Sequence, residues 1–174
     1  MGTRFRPREG LDQVVARMVA RRVQAITHQV ADTAKEHAPP TKTWRSSADD
    51  EVRPEHRAAH GQEVPANLRY VLDSPDYDRT HYGAPARQQL RHPRDRDATP
   101  GLTAQCRCTE SEDPEGIARG IEAHLVEVHG AVVVGHVTSV GPRVVDAEFG
   151  TDRDDPARYM GRAVQDVAAR LRAR

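Results

Sequence analysis

The chain is predicted to be α+β. A long N-terminal helix comes first, then a small antiparallel sheet and a C-terminal helix, with a loop-rich subdomain inserted between. Three observations lead there. Apolar residues recur at steps of three and four from Leu11 to Ala34. Valine-rich runs with a period of two fill residues 121–137. The stretch between is polar, rich in Pro, Asp and Arg, and lacks either period.

The first helix follows from Leu11, Val15, Val19, Val23, Ile26, Val30 and Ala34, which form one stripe, with Arg17, Arg21, Arg22, Gln29 and Lys35 largely off it. No Gly or Pro interrupts residues 11–38, and Pro39-Pro40 ends the helix, because proline lacks the amide donor and clashes with the preceding turn. Such a helix of about 28 residues spans about 42 Å, more than a small core covers. Part of the stripe is therefore expected to face another subunit.

In IEAHLVEVHG, Ile121, Ala123, Leu125 and Glu127 alternate with Glu122, His124, Val126 and Val128. Val132–Val134 and Val137 suit a buried partner strand, and His129-Gly130 suits the hairpin turn. Gly150 can take backbone angles closed to other residues. Asp155 is then expected to cap the last helix, with Pro156 at its first position. Tyr159, Met160, Ala163, Val164, Val167 and Leu171 mark that helix's apolar face.

Charge divides the chain the same way. Residues 1–42 carry eight Lys/Arg against four Asp/Glu, residues 43–110 ten against eleven, and residues 111–174 eight against eleven. The zero net charge reads against a general, strongly basic nucleic-acid binder. No run approaches the ~18–20 apolar residues of a membrane span, and no apolar stretch follows the basic N-terminus as in a secretory signal. A soluble protein that folds in a cytoplasm is expected. Phosphate-loop, dinucleotide and nucleophile-elbow motifs are absent, so no catalytic residues are assigned.

Two resemblances sharpen this. VQAITHQVADTAKEHAPP, with VVVGHVTSV and VVDAEFGTDRDDPARYMGRAVQDVAARL, resembles a family of tailed-phage neck and tail-completion proteins. The shared features are Ala38-Pro39, Val134-Gly135, Glu148-Phe149-Gly150-Thr151 and a helix over 157–172. The middle stretch resembles the C-terminal motif of the phage Mu-type minor head protein (head-morphogenesis) family. It matches at Trp44, Asp49, Val52-Arg53, His56, Gly61, Pro93, Asp95 and Cys106-Arg107-Cys108. The resemblances imply a neck scaffold, residues 1–42 plus 111–174, carrying an inserted minor-head-like subdomain, residues 43–110. They imply a virion protein that assembles in the host cytoplasm as a homo-oligomeric ring at the head–tail connector. Its neighbours would be connector proteins (portal, adaptor or head-closure) and tail-terminator or tail-tube proteins, and DNA would pass through its lumen without sequence specificity. Glu148, Phe149, Gly150 and Thr151 are the expected packing or interface element, with Phe149 as anchor. A minor head protein near the portal is the alternative. A metal-dependent hydrolase or nuclease carried by the insert is the alternative from another class.

The two cysteines stand two apart, too close for an unstrained disulfide, but two thiolates at that spacing can share one metal ion. His56 and His60, four apart, would share a helical face. Together His56, His60, Cys106 and Cys108 would complete a tetrahedral zinc site and stabilise a segment poor in apolar residues. His92 or Asp49 is an alternative fourth ligand. The plain alternative is a hydrogen-bonded His56 and Arg53 beside two buried thiols. Trp44, Tyr70, Tyr77 and Tyr82 are expected to form the insert's small core. The arginines of residues 87–96, interleaved with Asp95 and Asp97, are expected in a salt-bridged loop.

Overall fold

A computed structural model describes residues 10–47, 49–73, 87–129 and 132–173. Tyr77, Tyr82 and the Gly130 turn lie outside the described residues, as do the side chains of Leu11 and of residues 125–129 and 132–133. The fold is α+β, with a long N-terminal helix, small antiparallel sheets and a C-terminal helix.

Helix α1 runs Leu11–His37 and ends where Ala38, extended at φ −63° and ψ 133°, precedes Pro39. Its apolar stripe divides into two halves. Val15 and Val19 are 50% and 43% exposed, Val23, Ile26 and Val30 are half-buried, and Ala34 is buried; beside the stripe, Thr27 and Ala31 are also buried and Met18 is exposed. Strand β1 (Thr41–Arg45) follows at once. Helix α2 (Pro54–Ala58), strand β2 (Glu63–Pro65), strands β3 (Tyr70–Asp73) and β4 (Arg87–Leu90), helix α3 (Pro100–Thr103) and strand β5 (Thr109–Asp113) complete the middle stretch. The order β2-β1-β5 makes one antiparallel sheet, and β3-β4 makes a second.

The middle stretch leaves and rejoins the scaffold on neighbouring strands, since Thr41 pairs with Asp113 and Arg45 with Thr109. The division drawn from sequence at 42/43 and 110/111 falls inside that ladder, beside the pairs Lys42–Glu112 and Thr43–Ser111. Strands, two one-turn helices and a buried cluster around Trp44, Tyr70, Leu72 and Leu90 build this region. Nor does it stand wholly apart. Leu68 belongs to the other core, and Asn67 Nδ2 donates to the Asp155 carbonyl at 3.0 Å. In return Arg143 donates to the Arg69 carbonyl at 2.9 Å.

After a short 3-10 turn at Ala118–Gly120, β6 (Ile121–His129) pairs antiparallel with β7 (Val132–Ser139). The register slips between His124 and Glu127, placing one extra residue on β6. Helix α1 lies against this hairpin and against the C-terminal helix α5 (Tyr159–Arg172). The approach is close, because a Cβ on Gly135 would sit 1.9 Å from Thr27 Oγ1. His37 Nε2 joins Asp166 at 2.8 Å. The two outer stretches thus share one core of Ala31, Ala34, Ile117, Ile121, Ala147, Tyr159 and Ala163.

Two expectations near the C-terminus are corrected. Val144–Phe149 forms a helix, α4, for which the sequence reading made no provision. Asp155 does not cap the last helix and Pro156 does not begin it. Helix α5 starts at Tyr159, after Arg158 in the left-handed region at φ 54°. The free amides of its first turn are met from a distance instead. The two Glu148 carboxylate oxygens accept from Met160 N and Gly161 N, each at 3.0 Å. On the expected apolar face, Tyr159, Ala163 and Val167 are buried, whereas Val164 is 55% exposed.

Candidate metal centre

The local sequence places each donor side chain on its own element. Pro54 sits in the first turn of α2, where its missing amide costs nothing, and His56 follows inside that turn. Cys106-Arg107-Cys108 leads from α3 into β5 outside any helix. Alternation along such a chain sends residues i and i+2 to one side. Both cysteines are accordingly buried and Arg107 is exposed. The turn into this stretch is tight, with Gln105 at φ 54°.

His56 Nδ1 lies 3.5 Å from Cys106 Sγ and 3.4 Å from Cys108 Sγ. All three donor atoms lie within 4.8 Å of one another, and all three residues are buried. A tetrahedral ion bound to sulfur at about 2.3 Å and to nitrogen at about 2.0 Å holds those ligands about 3.5 Å apart. The two nitrogen–sulfur spacings match that geometry, and these three residues could hold a metal of that kind. Both cysteines are free thiols.

Electrostatics favours the same use. Burial, then the Arg53 charge, lowers the His56 pKa to about 4, so the ring is neutral near pH 7 and its nitrogen can ligate. Burial, then the neighbouring Cys106, pushes Cys108 up to about 11. A cation reverses that penalty by stabilising the thiolates, with release of protons.

The surrounding residues hold the donors in place. Trp44 meets the His56 ring edge-on at 5.4 Å, and Tyr70 meets Trp44 at 5.2 Å. Arg53 donates to the Leu102 and Ala104 carbonyls at 3.3 and 2.7 Å, tying the start of α2 to the end of α3. Arg107 Nη2 donates to Asp49 at 3.0 Å and Glu51 at 2.9 Å, anchoring the cysteine stretch to the loop before α2. The sequence motif contained Asp49, Arg53 and Arg107. A hydrogen-bonding Arg53, one of the sequence alternatives, is found; the bracing roles of Asp49 and Arg107 were not read from the motif, although the Cys-Arg-Cys alternation carried the signal for Arg107. Glu51 was missed altogether. A cleft of about 520 Å³ adjoins the donors, lined by His56, Cys106, Cys108, Glu51, Arg53 and Arg107 among others.

His60 does not join the group. Helix α2 ends at Ala58 and the chain reverses at Gly61, φ 80°, so the four-residue spacing does not keep both imidazoles on one face. The exposed His60 Nδ1 accepts instead from Ser46 N at 3.1 Å. Neither alternative replaces it. Asp49 is committed to Arg107, and His92 Nδ1 donates to the Pro93 carbonyl at 2.9 Å.

The other predicted element divides by role. Glu148 receives the amides of α5. Gly150 turns at φ 80°, where a Cβ would stand 2.7 Å from the Asp154 carbonyl. Thr151 Oγ1 donates to Asp154 Oδ2 at 3.2 Å. Phe149 alone of the four projects outward, 77% exposed. Of the predicted loop, Asp95 is buried and accepts from Arg91 N at 2.8 Å and Asp97 N at 3.1 Å, while Arg91 pairs with Asp97. No helix of the described residues is long and apolar enough to cross a membrane.

No protein-family model, curated protein or solved structure matches this chain.

Proposed function

We propose that the protein is a structural component of a tailed-phage virion, acting in a ring at the head–tail connector, with zinc clipping its middle region. The observation that carries the reading is the placement of the minor-head-like motif. Its Trp44, His56 and Cys106-Arg107-Cys108 gather at one buried three-donor site. The strands that bracket this region, β1 and β5, pair beside the scaffold. Zinc suits one imidazole and two thiolates. Its role would be to hold α2 against the β5 end of a small core.

Assembly would follow from apolar surface that the protomer leaves open. Val15, Met18 and Val19 on α1, and Val145 and Phe149 on α4, are all exposed, and such surface suits contact with further copies or neighbouring connector proteins. A closed ring needs two different faces to meet, and α1 and α4 supply two candidates. DNA would pass through the lumen without sequence specificity. Imaging intact particles with this chain labelled tests the reading: density in a ring between head and tail is expected, and density confined to the capsid interior would favour the minor head protein. The cleft beside the three donors is a feature that favours a metal-dependent hydrolase. Loss of a hydrolytic activity on Cys106→Ser with folding intact would replace the structural reading.

A further inference from the structure

We propose that the metal at His56, Cys106 and Cys108 presents a fourth coordination position to the adjoining cleft and accepts a small anion there. This rests on the metal reading above and deepens it. The donors have two sides. On one, Trp44 packs its edge against His56 and closes the region with Tyr70. On the other, all three donor residues form part of the wall of a single cleft. Its volume, about 520 Å³, lies within the range of small-molecule sites, roughly 300–1,000 Å³. Three protein ligands with a fourth position facing solvent is the arrangement of catalytic zinc sites, whereas purely structural sites draw four ligands from the chain. Among the described residues the donor group comprises these three.

Charge selects the ligand. Two thiolates offset the dication, so the walls decide the sign. Arg107 is matched by Asp49 and Glu51. Arg53 is held by two carbonyls, and among the described residues no carboxylate forms an ion pair with it. These four charges balance overall, but both carboxylates are spent on Arg107, and Arg53 stands as a cation close enough to His56 to act on it, which favours an anionic fourth ligand at a neutral metal–thiolate unit over a neutral donor.

Cobalt(II) loading of the full chain, followed by titration with sodium azide, tests this. A thiolate-to-cobalt charge-transfer band, followed by a saturable shift of the visible d–d bands with cobalt still bound one to one, is the expected result. Bands that form but ignore azide would overturn the inference and leave the metal reading intact. An azide response that appears in Glu51→Gln but not in the unsubstituted chain would also overturn it, because Glu51 would then fill the position. Failure to develop the charge-transfer band would remove the metal reading and this inference together. Acetate and phosphate titrations then rank the anions, and a response to azide alone would limit the site to monatomic-donor pseudohalides and overturn the wider assignment.

Discussion

The two cores of this protein are built from different materials. The scaffold core between α1, the β6–β7 hairpin and α5 is made largely of small residues: Ala31, Ala34, Ala147 and Ala163, with Ile117, Ile121 and Tyr159 among them. Small side chains let the elements approach closely, to the point where Gly135 admits Thr27. The middle core joins aromatic and polar groups to larger aliphatic ones, Val64, Leu72, Leu90 and Leu102. Trp44 and Tyr70 are fully buried beside His56, Cys106 and Cys108, and Lys42 lies 5.1 Å over the Tyr70 ring, its pKa lowered by burial. Close backbone packing can sustain the first. The second has buried a set of groups that desolvation penalises and that a metal would satisfy. One region is packed by shape; the other surrounds a donor set that a metal could bind.

The largest expected effect separates them directly. Cys106→Ser with Cys108→Ser removes both thiolates, and structural zinc in small zinc peptides contributes about 10–16 kcal/mol. Metal content should fall from one equivalent to none. Hydrogen exchange should lose protection over residues 41–113 while α1 and α5 keep theirs. Equal loss in both regions would mean that the two cores are one cooperative unit. Next comes Trp44→Ala, which empties the centre of the middle core and should cost about 3–5 kcal/mol in chemical denaturation.

The scaffold has its own sensitive point. Gly135→Ala drives a methyl into Thr27 and should cost about 1–3 kcal/mol. Thr27→Ala in the same chain should recover part of that. Additive losses in the double mutant would show that helix and hairpin do not meet at this pair. A smaller effect is expected from Glu148→Ala, which withdraws the acceptor for two α5 amides. About 0.5–2 kcal/mol is the cost of losing such a cap, measured as a lower thermal midpoint. The smallest belongs to His60→Ala. Metal stoichiometry should stay at one, and stability should change by less than about 0.5 kcal/mol. Loss of the ion in this variant would restore His60 to the ligand set.

Much of the fold was legible because it is periodic. The stripe from Leu11 to Ala34 specified α1 to within a residue of its end, and the valine-rich alternation located β6 and β7. The candidate site was legible in part. His56 and the two cysteines were named from spacing and resemblance, and those three side chains converge. His60 failed because a four-residue spacing places two side chains together only while the helix lasts, and α2 is one turn long. The start of α5 failed for a related reason. Asp155-Pro156 has the local signature of a helix start, but Gly150 and Arg158, both at positive φ, carry the chain through an irregular turn first.

By itself, then, the sequence determined the elements with strong local periods, the side on which each cysteine faces, and the inventory of donors. Only the tertiary structure decided which donors meet, that Glu148 caps a helix eleven residues further on, and that Leu68 crosses to the scaffold core. The physical reason is range. Helix and strand periods are set by neighbours within a few residues. Ligand sets, distant caps and shared cores depend on chain closures such as β1 with β5, whose pairing joins residues nearly seventy apart and leaves no periodic mark in either segment.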